Sequence, residues 1–357
     1  MNDHATFLAD GADALTAEQA VTRYRALAAS NPDAHLPDLA AALTDFASEL
    51  SRNGRPAEAL TASAERVALY RDLAARNRDT YLPSLAGSLL NHAKFLAENG
   101  QRAEVLTATE EALALYRELT AVNRDAHLPG LAASLYNYGL DLAGNGRPGS
   151  LAAFDEAITL FRELVAVDRD AYLLLLAKAL KHYTLGLQEA GRRAEAVTAA
   201  EETAALYREL AHNSDAYLPH LAEAVNRHAT MLVEAGRGAD ALAVSEEAVT
   251  LYRLLAVLNR DAHLPDLAGT VNNHAVRLAK NGQQAEALAV SEEAVTLYRE
   301  LAAGNPDTYL PYLATALGNH ARRLADDGQR SRALSTARAA IDLRRKLAEL
   351  DRDAHLP

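Results

Sequence analysis

Apolar positions in this chain recur at intervals of three and four. Between Pro265 and Lys280 they fall at Leu267, Val271, His274, Ala275 and Leu278, a single stripe along one face of a helix. A second stripe, Ala287, Val290, Ala294, Val295, Tyr298 and Leu301, runs on toward Asn305. At 1.5 Å per residue that is roughly 30 Å of helix. Gly282 ends the first stripe and Asn305-Pro306-Asp307 stops the second. No segment alternates with period two, and Ala, Leu, Glu and Arg favour helix over strand. The pattern predicts an all-α fold.

The same two-helix block recurs through the chain every 45 or 46 residues, which decides the architecture. One landmark is Leu-Tyr-Arg-x-Leu, with its ring at Tyr24, Tyr70, Tyr116, Phe161, Tyr207, Tyr252 and Tyr298, and Arg344 in the eighth copy. Another is Asp-(Ala or Thr)-(His or Tyr)-Leu-Pro, opening at Asp33, Asp79, Asp125, Asp170 (where Leu stands in place of Pro), Asp215, Asp261, Asp307 and Asp353. The third is a turn glycine at Gly54, Gly100, Gly146, Gly191, Gly236, Gly282 and Gly328. Seven of the eleven prolines close the Leu-Pro element, and Pro32, Pro56, Pro148 and Pro306 fall at inter-helix turns. Proline is tolerated at the first helical position, so each Leu-Pro is expected to start a helix, with no proline in a helix interior.

Seven helix pairs after an N-terminal half-unit follow: residues 1–33 as a partial repeat, then repeats at 34–79, 80–125, 126–170, 171–215, 216–261, 262–307 and 308–353, with 354–357 opening another. Such a pair cannot bury its stripe alone, so neighbours must stack into a solenoid. Both ends cut the pattern mid-unit: residues 4–15 resemble only the end of a first helix, and Asp353 to Pro357 would open a further pair. The expectation is a longer natural protein or a trimmed chain. Arg344, Arg345 and Lys346 in the last helix read either as a partial polar cap or as repeat drift.

The 49% hydrophobic content is mostly Ala and Leu, with no Trp and five Phe, which suits close helix packing. Lys and Arg total 36 against 48 Asp and Glu, a net charge of −12 that disfavours nucleic acid as main partner. Cys is absent, removing disulfides and thiolate chemistry and fitting a reducing, cytoplasmic setting. Residues Met1 to Ala20 lack a basic and then apolar leader, and no apolar run is long enough to cross a bilayer.

Leu264-Pro265-Asp266-Leu267-Ala268, Val271-Asn272-Asn273-His274-Ala275, Gly282 and Glu286-Ala287-Leu288 resemble the tetratricopeptide repeat family, in its longer kinesin light-chain style. The resemblance spans nearly the whole chain. Departures are extra residues in the second helix and His or Tyr where that subclass tends to place Leu. It implies a right-handed superhelix whose first helices line a concave, peptide- or protein-binding face. It also implies likeness to the sensor or adaptor arms of bacterial signalling proteins.

Nine residues before each turn glycine the copies read Asp45, Asn91, Asn137, His182, Arg227, Asn273 and Asn319. A primary amide offers donor and acceptor together, matching an extended peptide backbone; in the resembling superhelical arms, such Asn ladders hold peptide. The alternative is that each Asn ties its own helix to a neighbour. Lys94, Lys178, Lys181, His182 and Arg227, with neighbouring Asn226, concentrate positive charge at inward positions. With Asn137 they are similar to the carboxylate clamp of some family members, although Leu90 stands where that clamp would put Lys. Their alternative is a solvated charge run.

His92, His228, His274 and His320 share one repeat position with Phe46, Tyr138 and Tyr183, and His35, His127, His263 and His355 exchange with Tyr81, Tyr172, Tyr217 and Tyr309. A flat ring suffices at both places, so packing explains them. Zinc would need about four ligands converging at roughly 2 Å, whereas successive repeats lie about 10 Å apart. The Glu pairs Glu110-Glu111, Glu201-Glu202, Glu246-Glu247 and Glu292-Glu293 read as an outer solvated face, or else as a docking stripe for a basic partner. No phosphate loop, His-Glu-x-x-His or Gly-x-Ser-x-Gly motif occurs. The reading is a non-catalytic scaffold without cofactor or metal that binds a protein or extended peptide, neither nucleic acid nor membrane. The alternative is an assembly or autoinhibitory module, self-associating through its repeat ends or packing on its own effector domain.

Overall fold

The computed structural model describes residues 16–354 of the chain; the expectations for residues 1–15 and 355–357 lie outside them. Among the described residues there is no strand. The helices are α1 (Ala17–Ser30), α2 (Pro32–Arg52), α3 (Pro56–Arg76), α4 (Arg78–Glu98), α5 (Arg102–Val122), α6 (Arg124–Gly144), α7 (Ser150–Val167), α8 (Arg169–Glu189), α9 (Arg193–Asn213), α10 (Leu218–Glu234), α11 (Gly238–Leu258), α12 (Arg260–Lys280), α13 (Gln284–Gly304), α14 (Pro306–Asp326) and α15 (Arg330–Ala354). They divide between two compact units, residues 1–172 and 173–357, the boundary falling inside α8. In the first unit each helix from α1 to α7 packs on the next, and α4 also reaches α6. In the second the same holds from α9 to α15, with α12 reaching α14.

Two kinds of joint alternate. After α2, α4, α6, α8, α10, α12 and α14 the chain turns through a glycine with positive φ, as at Gly282 (φ 83). There the Gln283 amide donates to the Leu278 carbonyl at 3.0 Å and the Gly282 amide to Ala279 at 3.1 Å, closing the helix end in a left-handed conformation that only glycine reaches without strain.

The other joint is a single residue. Asn77, Asn123, Asn259 and Asn305 each accept the backbone N–H three residues on, at 3.3, 3.2, 3.2 and 3.2 Å, and Asp168 does the same at 3.1 Å. These caps stabilise by about 1 kcal/mol each, and they start the helix five residues before Leu-Pro. The expectation that each Leu-Pro starts a helix is thereby corrected: Pro37, Pro83, Pro129, Pro265 and Pro311 lie inside helices. Each removes one amide near the helix start, a loss the cap and the repeat packing outweigh. Only in α10 does the expected start hold, because Ser214 opens a short 3-10 turn, Asp215–Tyr217, before Leu218 and Pro219.

Small residues let the helices approach. Ala40, Ala86, Ala132, Ala177, Ala222, Ala268 and Ala314, one per repeat, are essentially inaccessible. The ring of the Leu-Tyr-Arg element fills the space beside them. Tyr116 on α5 lies with its hydroxyl 3.5 Å from the Cβ position of Gly87, and a Cβ at Gly130 on α6 would fall on its ring. Gly130→Ala is therefore expected to destabilise by about 1–3 kcal/mol through overpacking, despite alanine's better helix propensity. A thermal melt shifted upward would contradict this packing.

Across the other face, ion pairs tie each repeat to the next. Arg71–Glu111 (2.6 Å), Arg117–Glu156 (3.1 Å) and Arg124–Glu163 (2.7 Å) do so in the first unit. Arg208–Glu247, Arg253–Glu293 and Arg260–Glu300 do so in the second at 2.8, 2.8 and 2.7 Å. The second glutamate of the recurrent Glu pairs is thus engaged inside the chain at Glu111, Glu247 and Glu293, while Glu110, Glu201 and Glu246 face solvent and the exposed Glu292 pairs with Arg332 at 3.5 Å. Each pair is exposed and contributes little alone; repeated at one spacing they set the repeat register.

Candidate binding face

The helices after each single-residue joint present their polar residues at fixed distances before the turn glycine, so one face collects them repeat by repeat. In the second unit, Lys181 Nζ on α8 meets Glu223 Oε2 on α10 at 2.7 Å, and Arg227 Nη2 reaches Glu223 Oε1 at 3.4 Å. Burial pushes the Glu223 carboxyl up, but the Lys181 hydrogen bond and the charges of Lys181 and Arg227 outweigh it and hold the group below the usual carboxylate value. One carboxylate therefore faces two cations, leaving the trio net positive. It borders a cavity of about 150 Å³ lined by Gln188, Glu223, Asn226, Arg227, Thr230 and Met231. Hydrogen-bonding capacity remains there, since Asn226 Oδ1 and Arg227 Nε have no partner.

The same face continues onto α12 and α14. Arg277 Nη2 donates to Thr230 Oγ1 at 3.3 Å, while its Nη1 is buried and unpartnered. The side chain is 6% exposed and no carboxylate reaches it among the described residues. Desolvation alone lowers its pKa. One helix further, Asn319 Nδ2 donates to Asn272 Oδ1 at 3.0 Å, tying α14 to α12. At this rung the amide links repeats, which was the second reading of the Asn positions.

The other expected residues are distributed as follows. Asn273 is exposed on α12, Lys178 exposed on α8, and His182 half-buried, its pKa lowered by burial and by Lys181. In the first unit Asn137 is half-buried on α6. Asn91 and Lys94 on α4 line a small cavity of about 70 Å³ with Ser63 and Arg66. Arg66 is mostly buried there and its pKa is lowered chiefly by desolvation, against the opposing influence of Tyr70. Sequence reasoning missed Glu223, Asn272, Arg66 and Arg277. Counted from the turn glycine, the equivalent positions hold Glu49, Phe95, Asp141, Gly186, Met231 and Arg323, so the register alone does not mark Arg277 out.

The shared histidine position is structural, as its exchange with Tyr and Phe suggested, and it carries a partner the sequence reading did not name. Nδ1 of His92, His274 and His320 lies 2.8 Å from Ser63, Ser245 and Ser291. Each serine hydroxyl is also 2.8 Å from a carbonyl in its own helix. A hydroxyl has one proton; given to the carbonyl, it leaves the imidazole N–H to donate to the oxygen. Every pair is 29 residues apart, and the fourth copy, His228, faces Ala199 at that spacing instead. Among the described residues no three His, Asp or Glu side chains gather as metal ligands, and no helix is long and apolar enough to cross a membrane.

Residues 267–307, from within α12 to the start of α14, match the family model described as Tetratricopeptide repeat. A solved structure similar to the chain is the signal transduction ATPase with numerous domains and a tetratricopeptide repeat sensor from Pyrococcus horikoshii, at 13% identity and TM-score 0.50, covering 98% of this chain and 56% of that one. A putative kinesin light chain from Podosopora anserina with nearly identical repeats has 21% identity and TM-score 0.44, over 62% of this chain and 98% of its own. BtubC (BKLC) from P. vanneervenii has 15% identity and TM-score 0.48, over 68% and 91%. No curated protein matches the sequence. One repeat of the array, residues 267–307, is thus of the tetratricopeptide type, and the fold of the chain is similar to that of tetratricopeptide solenoids.

Proposed function

We propose that the chain is a non-catalytic scaffold that takes an extended, acidic segment of another protein along the face carrying Lys181, Asn226, Arg227 and Arg277. A tetratricopeptide-like fold suggests a protein-binding scaffold, and the observation that carries this finer reading is the charge of that face. Around Glu223 two cations meet one carboxylate, and Arg277 has no anionic partner, in a chain whose net charge is −12. Carboxylates of a bound segment would complete both with charge-assisted hydrogen bonds, and the Asn226 amide would pair with its backbone. Asn91, Asn137 and Lys94 are assigned the same role in the first unit. A sensor or adaptor arm in a larger cytoplasmic signalling protein is the setting that this reading fits.

The test is selection of random extended peptides displayed on phage by the purified chain. Acidic sequences should be enriched by the wild type and lost with the Lys181→Glu/Arg227→Glu pair. Enrichment without charge bias, or equal recovery by the variant, would contradict the assignment. Self-association is the second reading, supported by Leu334 and Ile341, seven residues apart on α15 and 55% and 48% exposed; a mass that rises with concentration in sedimentation would favour it.

A further inference from the structure

Between α12 and α14 lies a cavity of about 400 Å³ whose chemistry is opposite to that of the basic face. Three tyrosines wall it. Tyr298, from α13, and Tyr312 lie parallel with ring centroids 5.9 Å apart and an interplanar angle of 8°. Tyr309 turns against Tyr312 at 47° with centroids 6.3 Å apart, so the rings form a corner rather than one flat stack. Asp266 is the only charged residue in the lining. No hydrogen bond or ion pair engages its carboxylate among the described residues; burial pushes its pKa up, opposed by the charge of His263 and reinforced by that of Glu223. Gly269 lines the same cavity and leaves it open, the nearest side-chain atom to its Cβ position being the Tyr298 hydroxyl at 3.5 Å.

Repeat packing does not call for this arrangement. At the position of Tyr312 the other copies hold Asp38, Ser84, Gly130, Leu175, His220 and Asp266, none of them a phenol, and Tyr312 is 55% exposed. Exposed aromatic faces carry negative quadrupole potential and attract cations within about 6 Å of the ring centre, best when an ion cannot be fully rehydrated. An apolar ligand would also fill the corner, but it would bury Asp266 against nothing. An anion would be repelled by that carboxylate. The combination of aromatic walls with one carboxylate, and no Lys, Arg or His in the lining, selects a bulky organic cation.

We propose that Tyr298, Tyr309, Tyr312 and Asp266 form a binding site for an alkylammonium group, either a free quaternary amine or a lysine side chain, methylated or not, borne by a protein segment. The ammonium lies against the ring faces and Asp266 balances its charge. This site goes beyond the acidic-segment reading: Asn226 borders both cavities, but Lys181, Arg227 and Arg277 take no part, so the cation site does not depend on that reading.

Isothermal titration of the intact chain with choline, with its neutral isostere 3,3-dimethylbutan-1-ol, and with end-blocked peptides carrying lysine or trimethyl-lysine tests the site. Choline or a lysine-bearing peptide should bind roughly tenfold more tightly than the isostere. Tyr312→Ala and Asp266→Asn, both at exposed positions, should each weaken that binding by about three- to tenfold while leaving the thermal melt and acidic-peptide binding unchanged. Preference for choline points to a free amine, and preference for the peptides to a protein-borne one. Equal binding of the isostere, no binding of any cation, or wild-type affinity in both variants would overturn the proposal.

Discussion

Replacing Arg277 by Met should stabilise the chain by about 1–3 kcal/mol and weaken its hold on acidic peptides. The side chain is 6% exposed, its single hydrogen bond goes to Thr230 at 3.3 Å, and burial pulls its pKa down because the charge has lost water without gaining a counterion. An uncompensated buried cation costs more than an apolar group of similar length. The repeat supplies the template for the change, since Met231 occupies the equivalent position and is 2% exposed. Thr230 keeps its bond to the Asn226 carbonyl at 3.0 Å, so the loss on that side is small. Urea unfolding followed by circular dichroism reads the result. A lower midpoint in Arg277→Met would show that the guanidinium is stabilising as it stands, and the case for an anionic partner would fail.

Stability should fall as the pH drops below about 6.5, well before the surface ion pairs titrate. His92, His228, His274 and His320 all have pKa values lowered from 6.5, with desolvation the largest cause in each. The unfolded chain therefore binds more protons in this range than the folded one, and protonation favours unfolding. Their contribution is fully present above 6.5 and is lost as the pH falls toward the folded-state values. The carboxylates of Glu118 and Glu300 behave oppositely. Their bonds to Arg78 and Arg260 hold them below 4.5, so what they add is present above 4.5 and is lost only under stronger acid. Thermal midpoints should be level from pH 8 to about 6.5 and then decline. A profile flat down to pH 5 would mean that the rings are not held neutral by burial.

The architecture was legible because a solenoid repeats its own instructions: the turn glycines, the Leu-Tyr-Arg ring and the helical stripes each appear once per unit and cross-check one another. Helix starts were misread because proline is a louder signal than the asparagine cap six residues earlier, and a cap is confirmed only by its bond, as Asn259 to the Ala262 amide shows. Partnerships between repeats were hidden for another reason. Arg71 and Glu111 are 40 residues apart and Ser245 and His274 are 29, separations that mean nothing until stacking brings neighbouring helices side by side. Of the expected binding residues, Asn226 and Arg227 line one cavity and Lys181 pairs with its Glu223, whereas Asn319 spends its amide on Asn272. Arg277 escaped notice because its repeat position also holds Glu49, Asp141 and Arg323, and only its burial without a carboxylate sets it apart.

Fluorescence anisotropy of a labelled acidic peptide taken from the selection, titrated with wild type and with Lys181→Glu/Arg227→Glu at several salt concentrations, bears most directly on the central claim. Tight binding that weakens steadily with salt and falls at least tenfold in the double variant is the expected result. An affinity indifferent to both salt and charge reversal would place recognition away from this face.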